Sequence, residues 1–207
     1  MILSGLEQAE SQSVELEQYP TNGDLASRWL TDMSSFGDLF EGCSVLDLGT
    51  GNGILGLGAL AMGAVRATLV DSDSYACNTA MRNAESMGLS DSVEVIHATI
   101  GEEELRPESV DLVISNPPWG RQTPKADRPF LDEILSIGRT AHLMHSAEAS
   151  HIQSLFIKQE WNAERYAEAD FALPAAYSHH ISRRGKTRAA FWRLTPGEKN
   201  ETMPDRS

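Results

Sequence analysis

Two hydrophobic patterns alternate along this chain. Short, mostly apolar runs at residues 44–48, 67–71, 93–97 and 110–115 each suggest a strand, the first and last of them buried. Among them, apolar residues return at helical spacing over residues 55–62, 74–87, 130–139 and 150–160. Within 74–87 the stripe is Ala76, Ala80, Met81, Ala84 and Met87, a core-facing side rather than a site. Residues 187–194 supply a closing strand. Strand–helix alternation predicts an α/β fold, a parallel doubly wound sheet with helices on both faces. Such sheets take ligands at the carboxyl ends of their strands. Gly49, Asp71, Thr99 and Asn116 each fall at such an end.

Two of these ends carry recognisable chemistry. The first strand runs through Asp47 into Gly49-Thr50-Gly51-Asn52-Gly53, a glycine turn that opens a helix and lets backbone approach a ligand closely. Gly51, Gly53 and Gly56 also satisfy a dinucleotide fingerprint, and Asp71 lies 71 − 51 = 20 residues on, where a ribose-binding acid belongs. NAD is therefore a rival ligand. S-adenosylmethionine is favoured because the turn begins at Gly49, directly after the strand, with Asp47 before it. A carboxylate there can help hold an ammonium, which the pyrophosphate of NAD lacks. Asp47 as a helix-facing hydrogen-bond acceptor is the other reading.

The fourth strand ends in Asn116-Pro117-Pro118-Trp119. An exocyclic amine on a base is a poor nucleophile, because its lone pair is delocalised into the ring. Taking both N–H hydrogens into hydrogen bonds favours a pyramidal nitrogen with its lone pair turned outward. The Asn116 side-chain oxygen can accept one and the Pro117 carbonyl the other. Trp119 offers a stacking face worth about 1–3 kcal/mol per base. The plainer reading is a loop after a strand, since Asn and Pro are ordinary turn residues.

With these motifs stand Leu16-Glu17-Gln18-Tyr19-Pro20-Thr21, residues 141–146 (Ala-His-Leu-Met-His-Ser) and residues 173–179 (Leu-Pro-Ala-Ala-Tyr-Ser-His). Together they resemble the small adenine-N6 RNA methyltransferases that modify small-subunit ribosomal RNA in eukaryotes, and their archaeal relatives. The likeness spans roughly residues 14–195. It implies a Rossmann-like class I methyltransferase with a mostly parallel, doubly wound seven-stranded sheet. It also implies cofactor contacts at Gln18, Thr21, Gly49, Asn52 and Asp71, joined by Asp47, Gly51 and Thr99 from the reading of the strand ends. Two residues depart from the family: Trp119 replaces the usual Phe, and Thr99 stands where an Asp near the cofactor adenine is usual. A small zinc-ribbon activator that joins along a sheet edge is a further implication of the likeness.

Charge complicates the expectation of an RNA partner. The formal net charge is −13, the wrong sign for binding by counterion release. Residues 1–170 carry 10 Lys+Arg against 27 Asp+Glu (−17), whereas 171–207 carry 7 against 3 (+4). Tyr177, His179, Arg183, Arg184 and Lys186, with Arg188 and Arg193 beyond them, interleave aromatics and cations as nucleic-acid contacts require. A hairpin whose arginines pair with an acidic body is the alternative. Arg121, Lys125 and Arg128 form a sparser second group. His179 and His180 have no ligand partner at suitable spacing, so no metal is expected.

With 4 Lys against 13 Arg and 30 acids, the composition suits a salt-rich cytoplasm. There the Debye length falls to about 3 Å at 1 M, so repulsion from the acidic part would hardly reach an RNA. Thermal unfolding is expected to shift to higher temperature in molar KCl, and indifference to salt would remove this reading. At 207 residues one domain (1–196) with a tail at 197–207 is expected. No membrane span or signal peptide is legible, and Cys43 and Cys77 read as reduced thiols of a cytoplasmic protein. Two rival functions remain. A glutamine-N5 methyltransferase acting on a release factor uses a similar clamp, since a primary amide is also a planar nitrogen. A non-catalytic methyltransferase-like scaffold is the other. An NAD-dependent oxidoreductase stands further off.

Overall fold

The structure, a computed structural model, describes residues 2–8, 21–105, 107–120, 123–172 and 186–197. After a short 3-10 turn at Ile2–Gly5, helix α1 (Gly23–Ser35) begins at Asn22, whose side chain accepts from the Leu25 N–H. There follow β1 (Ser44–Leu48), α2 (Ile54–Ala61), β2 (Arg66–Asp71), α3 (Ser74–Ser86) and β3 (Val93–His97). The second half contains β4 (Leu112–Ser115), α4 (Arg128–Ile137), β5 (Thr140–Ser146), α5 (His151–Lys158), β6 (Trp161–Ala172) and β7 (Lys186–Pro196). The seven strands form one sheet in the order β3-β2-β1-β4-β5-β7-β6. All neighbours are parallel up to β5, and β7 then runs antiparallel to both β5 and β6.

Period-two alternation divides the apolar side chains between the sheet's faces. On one face Val45, Leu112, Ile114 and Phe191 pack with Trp29, Leu30, Met33, Leu57 and Ala80 of α1–α3. On the other, Leu46, Leu48, Val113 and Trp192 meet Leu131, Ile134, Ile152 and Phe156 of α4 and α5. The expected helices form within a few residues of their predicted bounds. Helix α1 and strands β5 and β6 are additional. Cys43 and Cys77 are both buried and free. Among the described residues no helix is long and apolar enough to cross a membrane.

Chain order reverses between β1 and β4, with β2 and β3 on one side and β5 on the other. The crevice beyond the carboxyl ends of these two strands is the place where such a sheet takes a ligand. The glycine turn leaves β1 there, and Asn116 follows β4.

Candidate active site

Gly49, Gly51 and Gly53 have φ of 75°, 57° and 86°, left-handed values that L side chains rarely adopt. The turn is tied to β2: the Gly49 and Thr50 N–H groups both donate to the Val70 carbonyl at 2.9 Å. The Gly51 N–H donates to Asp71 Oδ2 at 2.8 Å, and Asp71 Oδ1 accepts from the Asp73 N–H. A Cβ on Gly51 would meet no atom within 4 Å, so the turn faces open space there. At Gly56 the reverse holds. A Cβ would lie 2.2 Å from Leu69 Cδ2, and only glycine lets α2 sit this close to the sheet.

Asp47 is wholly buried, and its Oδ2 accepts from Thr50 Oγ1 at 2.8 Å and from the Gly56 N–H at 3.0 Å. The acceptor reading therefore describes one of its oxygens. The other, Oδ1, is buried without a partner. Burial, aided by the neighbouring Asp71 charge and opposed by those hydrogen bonds, pushes the Asp47 carboxyl up to about 6. Burial also raises Asp71. Two acids held in this way make the floor of the turn hungry for positive charge. A sulfonium cofactor with an ammonium suits that floor, whereas a pyrophosphate would add repulsion.

Asn116 is held from two sides. Its Nδ2 donates to Thr21 Oγ1 at 3.2 Å, and its Oδ1 accepts from the Trp119 indole Nε1 at 3.2 Å. These bonds assign the rotation of the amide, with nitrogen toward Thr21 and oxygen toward the indole. Pro117 and Trp119 are buried, and Pro118 is half-buried. One face of Trp119 lies against His145, with ring centroids 6.1 Å apart and planes 23° from parallel. Phe, the residue usual in the family, would keep a ring here and lose the indole N–H.

The other expected site residues divide. Thr99 is exposed just after β3, with its N–H donating to Glu103 Oε1. The Asn52 side chain is buried, and its Nδ2 donates to the Glu7 carbonyl at 3.0 Å. Asn83 donates to that same carbonyl and to the Asn52 carbonyl, so this group fastens the N-terminal turn over α2 and α3. Gln18, Tyr177, His179, Arg183 and Arg184 lie outside the described residues. Lys186 opens β7 opposite Ala172. Arg188 pairs with Glu168 at 2.7 Å and Arg193 with Asp38 at 2.6 Å, so for these two the acid-paired hairpin holds. In the sparser group, Arg128 is taken by Asp132. The sequence reading did not single out Asp127 or His145, although His145 lies in the hexapeptide at 141–146.

Comparison with known proteins gives this geometry a lineage. The family model for ribosomal protein L11 methyltransferase (PrmA) matches residues 25–117. Relatives over the whole length are of another kind. The chain is 30% identical over 192 residues to the rRNA N(6)-adenosine-methyltransferase METTL5 of Danio rerio, covering 90% of this chain and 92% of that one. This chain belongs to the METTL5 family. An uncharacterized Methanocaldococcus jannaschii protein is 29% identical over 191 residues, spanning 87% of this chain and 84% of its own. The solved structure of a candidate RNA methyltransferase from Pyrococcus horikoshii superposes with a TM-score of 0.82 at 30% identity, over 95% of this chain and 96% of that one. This METTL5-family chain is thus an S-adenosylmethionine-dependent methyltransferase, and its sheet is that of the class I fold.

Proposed function

We propose that this METTL5-family enzyme transfers a methyl group to N6 of an unpaired adenine in small-subunit ribosomal RNA. The observation that carries the reading is the Asn116 amide, its rotation assigned by Thr21 and Trp119, beside the glycine turn at the sheet's crossover. S-adenosylmethionine, when bound, supplies an electrophilic methyl on a positively charged sulfur. Gly49, Gly51 and the Asp71 carboxylate would hold it, and Asp47 beneath the turn would favour its charge. An amide oxygen has two lone pairs. One of Asn116's receives the indole, which leaves the other to accept an N6 hydrogen while the Pro117 carbonyl accepts the second. So held, the amine would turn its lone pair toward the methyl that the sulfonium would supply, with the thioether as leaving group, and its surplus proton would pass to water. Positioning does most of this work, for which effective molarities of about 10⁵ M are available. The base must be flipped out or single-stranded to enter. Trp119 walls the clamp, and Tyr177, His179, Arg183, Arg184 and Lys186 are the proposed RNA contacts.

The resemblance carries a partner with it, a small zinc-ribbon protein. Among the described residues, strand β3 ends the sheet and pairs with β2 alone, with Val95 and Ile96 half-buried. Open backbone at such an edge is what a partner's added strand uses.

Labelled methyl from S-adenosylmethionine is expected to enter small-subunit rRNA at high salt and to be recovered as N6-methyladenosine. Parallel reactions with and without the zinc-ribbon protein test the partner. Label on a release-factor glutamine instead would move the function to the protein substrate. Silence in both reactions, with cofactor still bound, would leave only the scaffold.

A further inference from the structure

Beneath the clamp lies a polar cluster that the transfer reaction does not itself use. His145, on β5, is 1% exposed, and Asp127, at the start of α4, is 5% exposed. His145 Nδ1 accepts from the Ser146 N–H at 2.9 Å. In the neutral ring its proton therefore sits on Nε2, which stands 3.2 Å from Asp127 Oδ2. His151 reaches the same carboxylate oxygen at 2.6 Å from the half-exposed side. Burial alone would raise Asp127, but the two histidines hold its carboxyl below the ordinary range.

Three ligand-capable atoms of Asp127, His145 and His151 lie within 4.8 Å of one another, so a metal site is the first alternative. The Ser146 contact argues against it. A metal-bound Nε2 requires the proton on Nδ1, and Nδ1 here receives a backbone N–H. The Nε2–H also stands off the straight line to Asp127 that a hydrogen bond needs. Polar contacts of this kind often come into line only when substrate closes the site.

We propose that Asp127 and His145 form a positioning pair for the methyl-transfer clamp, acting through Trp119. The imidazole is the plate on which the indole lies, tethered at Nδ1 by the Ser146 N–H and with the Asp127 carboxylate 3.2 Å from its Nε2. The plane of the indole in turn sets where Nε1 meets Asn116 Oδ1, and hence where the oxygen's remaining lone pair points. The inference rests on the clamp reading of Asn116.

The test compares His145→Ala, His145→Phe and Asp127→Asn in the full chain, under the conditions that support the wild type. It measures single-turnover methyl transfer to rRNA, S-adenosylmethionine binding by calorimetry, and bound metal in the purified protein. His145→Ala is expected to lower the turnover rate about 10²-fold, the scale of a 1 Å misplacement, with cofactor affinity within about twofold of wild type. His145→Phe restores a plate and is expected to recover about tenfold of that loss. Asp127→Asn keeps the shape, is expected to cost about tenfold, and serves should His145→Ala fail to fold. Rates within about threefold of wild type in all three variants would overturn the pairing. So would a loss of cofactor binding in step with activity that Phe does not rescue. Stoichiometric zinc, with activity removed by a chelator and restored by zinc, would overturn it in favour of a metal site. Asn116→Ala run alongside separates the two levels: if that variant remains active, the clamp reading has failed rather than the pairing alone.

Discussion

Asn116→Ala is expected to lower methyl transfer about 10³-fold or more while S-adenosylmethionine still binds nearly as in the wild type. Removing one preorganised polar contact from a reacting centre costs about 10²–10³-fold, and here the same group also sets the approach of the nucleophile. The alanine removes the acceptor for the amine and leaves the Trp119 N–H and the Thr21 hydroxyl without the partner that joined them. None of these groups belongs to the glycine turn, whose bonds run to Val70 and Asp71, so the cofactor bed should survive. Asn116→Asp keeps an acceptor and loses the donor to Thr21, so it should retain more activity than the alanine. Single-turnover rates beside calorimetric cofactor binding distinguish the outcomes. Loss of both together would make Asn116 a structural residue, and retention of both would remove the clamp.

The parallel half of the sheet was legible because β1, β2 and β4 are buried on both faces and leave apolar runs of strand length in the chain. The crevice followed from it, since strand ends need only the strands to be right. Helix α1 went unread, although Leu25, Ala26, Trp29, Leu30 and Met33 stand at helical spacing on its buried side. Strand β5 was hidden for a physical reason. Two histidines interrupt its apolar run, and they are buried only because acids distant in sequence meet them, Asp38 at His142 and Asp127 at His145. Strand β6 is rich in Ala and Glu, which favour helix. Its eleven-residue antiparallel pairing with β7 overrides that preference. Site contacts were legible as positions and not as bonds. Nothing local connects Thr21 to Asn116, 95 residues away. Asn52 lay in a motif that named a ligand, yet its side chain serves the N-terminal turn.

Asp38→Ala is expected to be the most destabilising of the changes considered, although it lies outside the clamp. Its carboxylate accepts from Arg193 Nε at 2.6 Å and Nη2 at 2.8 Å, and its Oδ2 faces His142 Nε2 at 2.8 Å. The rest of the chain of bonds assigns every proton. The carboxylate can only accept, so His142 Nε2 donates to it. In the neutral ring Nδ1 then accepts from the Tyr166 hydroxyl at 3.1 Å, and the Tyr166 oxygen accepts from Trp29 Nε1 at 3.0 Å. Burial lowers the pKa of His142 against the pull of Asp38, the direction that favours the neutral ring of this assignment. One carboxylate thus closes a network joining α1, β5, β6 and β7. Alanine would leave a guanidinium and a wholly buried N–H without their acceptor. Breaking a buried pair costs about 3–5 kcal/mol, and the partial exposure of Arg193 places the loss near about 3. For a chain of this length that corresponds to a fall in Tm of about 6–12 °C.

The pH dependence gives the same network a second test. Burial would raise the Asp38 carboxyl, but the bonds from Arg193 and His142 outweigh it and hold the group at about 2, below its ordinary 3.8. A carboxyl depressed in the folded state contributes stability that is fully present above its unfolded value and is lost as pH falls through the folded one. Wild type and Asp38→Asn should therefore differ most at neutral pH, and the gap should narrow between about pH 4 and 2. Urea unfolding across that range would measure it. A gap that does not change with pH would mean that the network acts through shape and packing, with the carboxylate's charge contributing nothing.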